Sequence, residues 1–234
     1  PSVKGSGYKP FKRWEFIIEN EVDANGYLPS AQSIWDTWSA QNQMQANSNA
    51  AMADESNWSA IGPFTTVGTG SWSTGQARIN TIMIDPNNAA NGTNIWYVGA
   101  PAGGIWKSLD AGATWSPMSD NLPQIGVSGI AVDHANSDII YIATGDDDAG
   151  DTTSVGVFKS TDGGMTWNQT GLNPSNSPSS MNDIYMNPND SNMLWVATNN
   201  GVYKTTNAGV SWSQTLAGNI KDIKVKPNDP TTIY

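Results

Sequence analysis

Three copies of one eight-residue pattern decide the fold: SLDAGATW at residues 108–115, STDGGMTW at 160–167 and TTNAGVSW at 205–212. Each copy has a hydroxyl residue, an acid or amide two residues later, a glycine and a closing tryptophan. The tryptophans at positions 115, 167 and 212 stand 52 and 45 residues apart, close to the ~40–50 residues of a four-stranded propeller blade. The spacing therefore predicts one blade for each copy.

Each of these patterns, called a box below, is typical of the tight turn of a β-hairpin. We expect the acid or amide to accept hydrogen bonds from backbone N–H groups two residues on, the glycine to supply a positive φ, and the tryptophan to cover the turn. Because the same turn recurs once per repeat, we interpret it as structural and not as a ligand site. The residues concerned are Ser108, Asp110, Gly112, Trp115, Ser160, Asp162, Gly164, Trp167, Thr205, Asn207, Gly209 and Trp212.

The boxes lie inside longer repeats, which cover residues 79–118, 128–170 and 182–215, and a fourth repeat begins at 221 and reaches 234. Short apolar runs of about five residues, bounded by Asp-Pro-Asn or glycine-rich turns, predict four strands in each repeat. The sequence therefore predicts an all-β fold, a β-propeller with four-stranded blades. Three blades and the start of a fourth leave the ring incomplete in residues 57–234.

Composition excludes some classes of partner. The 21 acidic and 11 basic residues give a net charge of −10, which disfavours nucleic acid as a ligand. The absence of cysteine excludes disulfides and thiolate metal sites. No apolar run approaches the ~18 residues of a membrane span. Pro1, with no apolar stretch before it, is expected to be a mature terminus left by signal cleavage.

Residues 1–56 do not share the repeat and are predicted to form an N-terminal arm and one short helix. Cations and aromatics interleave over residues 4–16, and we expect this arm to dock onto its own domain, with a nucleic-acid or membrane contact as the alternative. From Ser30 to about Ala53 there is no glycine or proline. Trp35 and Trp38 have helical spacing there, and we expect them to pack on the propeller.

An acidic insertion in the second repeat is a candidate metal site. It places four carboxylates, Asp146, Asp147, Asp148 and Asp151, within six residues. Calcium takes six to eight hard oxygen ligands, so these side chains suit it. The insertion lacks the full spacing of an EF-hand and its distal glutamate, and a solvated acidic loop is the alternative interpretation.

The three boxes resemble the Asp-box repeats of sialidases, xyloglucanase-type glycoside hydrolases and sortilin-type propellers. GYKPFKRWEF at 7–16, NWSAIGP at 57–63 and YVGAPAGGIWKSLDAGATW at 97–115 are similar to segments of large secreted propeller proteins of Bacteroidetes. The resemblance implies that the protein is secreted or displayed on the outer cell surface. It also implies export by the type IX secretion machinery.

The sequence contains no complete enzyme signature. A sialidase needs three arginines to clamp its substrate carboxylate, and only Arg13 and Arg78 are present. A glycoside hydrolase needs two carboxylates facing each other about 5–9.5 Å apart, and no pair of aspartates is singled out by its spacing. We expect a non-catalytic binding or scaffold module for a protein or glycan at the cell surface.

Two alternatives to a free-standing binding module remain open. The first is a polysaccharide-active glycoside hydrolase whose catalytic carboxylates lie partly or wholly beyond residue 234. The second is a cargo or subunit of a larger export complex.

One segment before the first repeat is predicted to take part in ring closure. Residues 56–62 align with the fourth strands of the first two repeats, although no first three strands precede them. A closed propeller shares one blade between its two ends. We therefore expect the strand around Trp58 to pair with the third strand of a final blade that follows residue 234.

Overall fold

Among the described residues two helices precede the β-structure, where the sequence predicted an arm and one short helix. The computed structural model describes residues 8–19, 22–47, 78–123, 125–146, 152–226 and 228–234. Helix α1 spans Tyr8–Ile18 and α2 spans Ala31–Asn47. The interleaved cations and aromatics of α1 were predicted to form an N-terminal arm, but Tyr8 and Phe11, three residues apart, share one face of a helix.

Each predicted repeat forms one antiparallel sheet in which the strands follow one another in chain order. Blade 1 consists of β1 (Thr81–Ile84), β2 (Trp96–Ala100), β3 (Gly104–Ser108) and β4 (Ser116–Pro117), with the short helix α3 (Asn88–Asn91) after β1. Blade 2 consists of β5 (Val127–Val132), β6 (Ile140–Thr144), β7 (Val157–Ser160) and β8 (Asn168–Gln169). Blade 3 consists of β9 (Met181–Met186), β10 (Leu194–Thr198), β11 (Gly201–Thr205) and β12 (Ser213–Ala217). The fold is the predicted β-propeller with four-stranded blades.

The fourth repeat begins as a hairpin of β13 (Val225–Lys226) and β14 (Asp229–Ile233). The ring is therefore incomplete in this chain, as expected. The predicted ring-closing segment at residues 56–62 lies outside the described residues.

The antiparallel order gives each blade two different ends. Connections after first and third strands, which include the three boxes, lie at one end, and connections after second and fourth strands lie at the other. We call the second end the loop face. Its described residues are 101–103, 118–123, 125–126, 145–146, 152–156, 170–180, 199–200 and 218–224.

The core lies between neighbouring blades. One buried cluster combines side chains of blades 1 and 2, a second those of blades 2 and 3, and a third those of blade 3 and the last hairpin. Close approach of the first strands requires glycine: a Cβ on Gly129 would lie 2.7 Å from the backbone nitrogen of Ile184. Burial of these apolar faces is the main stabilising term of the fold.

Blade 1 leaves exposed the face that the other blades bury. Ile82 is 64 % exposed, whereas Ile130 and Ile184 at the same repeat position are 2 % and 4 % exposed. In blades 2 and 3 this face packs against the preceding blade. Among the described residues, nothing covers Ile82 in that way.

This difference in burial predicts that isoleucine-to-alanine substitutions at positions 82 and 130 lower the free energy of unfolding of the 234-residue chain by unequal amounts. Ile130→Ala is expected to lower the free energy of unfolding by about 2–5 kcal/mol, because it opens a cavity between blades 1 and 2. The exposed Ile82→Ala should change it by no more than about 0.5 kcal/mol. Urea denaturation of both variants measures the difference, with Ile184→Ala as a second buried position. Equal losses at positions 82 and 130 would contradict the packing described.

Candidate functional site

The boxes are closed by side-chain hydrogen bonds. In blade 1, Ser108 Oγ donates to Asp110 Oδ1 at 2.7 Å and accepts the N–H of Gly112 at 2.8 Å. Asp110 Oδ1 accepts the N–H of Thr114 at 2.8 Å, four residues on. The prediction that Asp110 accepts the N–H two residues on, that of Gly112, is therefore wrong, because Ser108 Oγ accepts that N–H. The same bonds recur in blades 2 and 3, at Ser160, Asp162, Gly164, Thr166, Thr205, Asn207, Gly209 and Ser211.

The box glycines have the predicted positive φ, at +89°, +96° and +86° for Gly112, Gly164 and Gly209. The residue before each glycine is also left-handed, with φ of +56° at both Ala111 and Ala208. The hydrogen bond from the Thr114 side chain, with that from its backbone, lowers the pKa of Asp110 to about 2. The polar groups of the boxes thus bond one another, as a structural turn requires.

The box tryptophans bind neighbouring blades together, which the sequence did not predict. Trp167 Nε1 of blade 2 donates to the carbonyl oxygen of Met118 in blade 1 at 2.7 Å. Trp212 Nε1 of blade 3 donates to Thr170 Oγ1 of blade 2 at 3.2 Å. Met118 and Thr170 each stand three residues after the preceding box tryptophan, so both bonds end at the same repeat position.

A second set of contacts joins the same box loops to the preceding blade. Lys107 Nζ donates to the carbonyl oxygen of Gly163 at 3.0 Å, and Tyr141 Oη donates to that of Ala208 at 3.0 Å. Gly163 and Ala208 occupy the same box position. The box loops therefore join neighbouring blades, which is a structural role.

Helix α2 lies at the loop face, and its Trp35 packs on the propeller as the sequence predicted. The Trp35 ring packs against Phe158 of blade 2 with ring centroids 5.6 Å apart, and Trp38 lies 4.6 Å from Trp35. Ser30 caps the helix, since its Oγ accepts the N–H of Ser33 at 3.1 Å. This packing fixes α2 over the junction of blades 1 and 2.

Asp146, one of the predicted calcium ligands, is bound by protein groups. Its side chain is fully buried, with Oδ2 2.6 Å from Arg78 and Oδ1 accepting from Asn80 at 3.3 Å. Ser180 Oγ also donates to the Asp146 carbonyl at 3.1 Å, so the residue joins all three blades. Asp147, Asp148 and Asp151 lie outside the described residues. Within the described ranges no group of three potential metal ligands comes together, and the calcium site stays a prediction.

The structure brings together a carboxyl pair that the sequence did not single out. Asp183 at the start of blade 3 neighbours Asp222 of the fourth repeat, and its Oδ2 accepts the N–H of Ile223 at 3.3 Å. Burial, together with the neighbouring Asp222, raises the pKa of Asp183 to about 6. Lys224, 2.7 Å from Asp222, holds the pKa of Asp222 below its usual range. The two residues belong to different repeats, so no local spacing could reveal the pair.

Two cavities flank the N-terminal end of α2. One, of about 880 Å³, lies between α2, the preceding residues 22–30 and Pro123 of blade 1. The other, of about 690 Å³, lies between residues 30–32 and loops of blade 2. Ser30 lines both cavities.

Comparison with known proteins gives a family and a class of relative. Residues 103–232 match the family described as Sortilin-Vps10 (sortilin, neurotensin receptor 3). A xyloglucanase of Paenibacillus sp is 28 % identical over 116 residues, 40 % of this chain and 10 % of its own length. A xyloglucanase of Hypocrea jecorina is 37 % identical over 105 residues, 39 % of this chain and 12 % of its own. The chain thus spans about a tenth of these curated relatives.

One solved structure with a similar fold is an ancestral GH74 enzyme. It has a TM-score of 0.49 and 22 % identity, over 64 % of this chain and 19 % of that one.

No helix among the described residues is long and apolar enough to cross a membrane.

The raised pKa of Asp183 predicts how stability depends on pH. The folded-state value of about 6 lies above the ordinary value of 3.8, so the folded protein binds the proton more tightly than the unfolded chain. Stability from this group is therefore present at low pH and is lost as the pH rises from about 4 through about 6. Asp183→Asn should remove this contribution to the change of the free energy of unfolding with pH.

The free energy of unfolding in urea, measured across about pH 4 to 7, tests this expectation. Asp120→Asn, at an exposed position of the loop face, is the matched control and should leave the slope unchanged. A slope identical in wild type and Asp183→Asn would show that the carboxyl pair is not formed as described.

Proposed function

The chain belongs to the Sortilin-Vps10 family, and from this premise we propose that it is part of an extracellular propeller that binds polysaccharide on its loop face without cleaving it. Both curated relatives named above are xyloglucanases, which supports polysaccharide as the class of ligand. Because the chain spans about a tenth of each, the activity of the whole protein is part of the proposal and does not follow from the match.

The state of two carboxylates, the buried Asp146 of the loop face and the partly buried Asp183 of β9, carries the proposal that the polysaccharide is not cleaved. Asp146 is held by Arg78 and Asn80. Asp183 neighbours Asp222, and its two oxygens accept the N–H groups of Ile184 at 2.8 Å and Ile223 at 3.3 Å. Glycoside hydrolysis needs carboxyls about 5–5.5 Å apart with retention of configuration and about 6.5–9.5 Å apart with inversion. Asp146 and Asp183 are each bonded by other groups of the chain, so neither is arranged as a catalytic acid or base at such a spacing.

The net charge of −10 favours a neutral ligand, since an acidic polysaccharide would be repelled by most of this surface. The proposal includes secretion or display on the outer cell surface, with the type IX secretion machinery as the export partner. These parts rest on the residues at 7–16, 57–63 and 97–115, which resemble secreted propeller proteins.

Calorimetric titration of the chain with soluble xyloglucan, followed by an assay for new reducing ends, tests the proposal. We expect saturable binding, no release of reducing ends, and no binding of the acidic polymer polygalacturonate. Failure to bind xyloglucan would contradict the proposed function. Release of reducing ends that disappears in Asp183→Asn would instead establish the hydrolase alternative, which the names of the relatives favour.

A further inference from the structure

We infer that the glycan site is the crevice made by the two cavities that meet at Ser30, with a sugar ring of a neutral glycan stacked on Tyr27. This inference rests on the proposed function and locates its ligand. The crevice, called the α2 crevice below, consists of the described residues that line the two cavities. These are 22–23, 27–34, 37–38, 41, 123, 153–154, 174–175, 177 and 179.

Tyr27 is presented to solvent by a rigid turn. Its ring is 72 % exposed, yet its backbone is bonded at both polar atoms: its N–H donates to Asp23 Oδ1 at 2.9 Å, and its carbonyl accepts the N–H of Asp23 at 2.8 Å. Asp23 Oδ1 also accepts the N–H of Asn25 at 2.8 Å. An exposed aromatic ring on an ordered turn loses little entropy on binding, which favours it as a contact residue.

The first cavity offers flat apolar surface beside Tyr27. Leu28 is 54 % exposed, and Pro29, Ile34 and Trp38 continue the wall. A pyranose ring with equatorial substituents has apolar C–H faces and a polar rim. Aromatic and apolar groups can contact those faces, while polar groups nearby fix the orientation of the ligand.

The second cavity supplies the polar groups. Its lining is rich in hydroxyls and holds one amide, from residues Ser30, Gln32, Thr153, Ser175, Ser177 and Ser179, above the fully buried Ser154. Hydroxyls donate and accept hydrogen bonds, as the hydroxyls of a sugar do. A chain that stacks on Tyr27 and passes Ser30 would therefore meet matching groups in both cavities.

Charge selects a neutral occupant. None of the described residues that line the α2 crevice is a lysine, arginine or histidine. Asp23 is the acidic residue of the lining, and its Oδ1 already accepts two backbone N–H groups. An anionic ligand would find no counter-charge, and a cationic ligand would find one carboxylate that is already bonded. A neutral glycan needs neither.

Titration of the full chain with cellohexaose, a neutral β-linked glucan, tests the inference. Tyr27→Ala should weaken binding about five- to tenfold, in line with the loss of one aromatic stacking contact. Tyr27→Phe keeps the ring and should stay within about twofold of wild type. Phe16→Ala is the matched control, because Phe16 is a 76 % exposed aromatic on α1 outside the crevice, and it should bind as wild type does.

Thermal melting of each variant checks folding. Leu28→Ala, at an exposed position, tests the same wall a second time and should weaken binding about two- to threefold. If the chain binds glucan but both Tyr27→Ala and Leu28→Ala bind as tightly as wild type, the crevice inference is overturned and the proposed function stands. If wild type binds neither cellohexaose nor xyloglucan, the proposed function itself fails. Tighter binding of polygalacturonate than of cellohexaose would overturn the neutral class of ligand.

Discussion

The hydrogen bond from a box tryptophan to the residue that follows the fourth strand of the preceding blade is the contact on which the rest of the structure depends. The bonds among Ser160, Asp162 and Thr166 hold the turn that carries Trp167. Trp167 can then reach Met118 in blade 1. Since each blade buries an apolar face only against a neighbour, this contact fixes the register in which those faces meet. The box end thus provides cohesion, and the loop face is left to vary.

The blades were predictable because their determinants are local and repeated. Turn residues recur at fixed offsets, and the apolar runs between them have strand length, so three four-stranded sheets and a following hairpin could be expected. The docking of Trp35 on the propeller followed from helical spacing in a segment without helix breakers. Helix α1 was not predicted because the interleaved charges and aromatics of residues 8–16 are equally typical of a docking arm.

The loop face was much less predictable, because its contacts join residues that are distant in the chain. Asp146 was grouped with its acidic neighbours, yet its partner Arg78 lies just before blade 1. Asp183 and Asp222 meet only when the fourth repeat packs on blade 3. The α2 crevice exists only where the helix packs over the blades, because residues of both form its lining. A repeat predicts what each blade has in common, whereas a binding site depends on where the repeats differ.

The most direct test of this account is the change in free energy of unfolding caused by Trp167→Phe, which removes the indole N–H and keeps an aromatic ring. Trp115→Phe is the control, because Trp115 is 36 % exposed and no preceding blade lies among the described residues. In the 234-residue chain the account predicts that Trp167→Phe costs at least about 1 kcal/mol more than Trp115→Phe. Equal effects at the two positions would contradict the claim that the box tryptophans bind successive blades together.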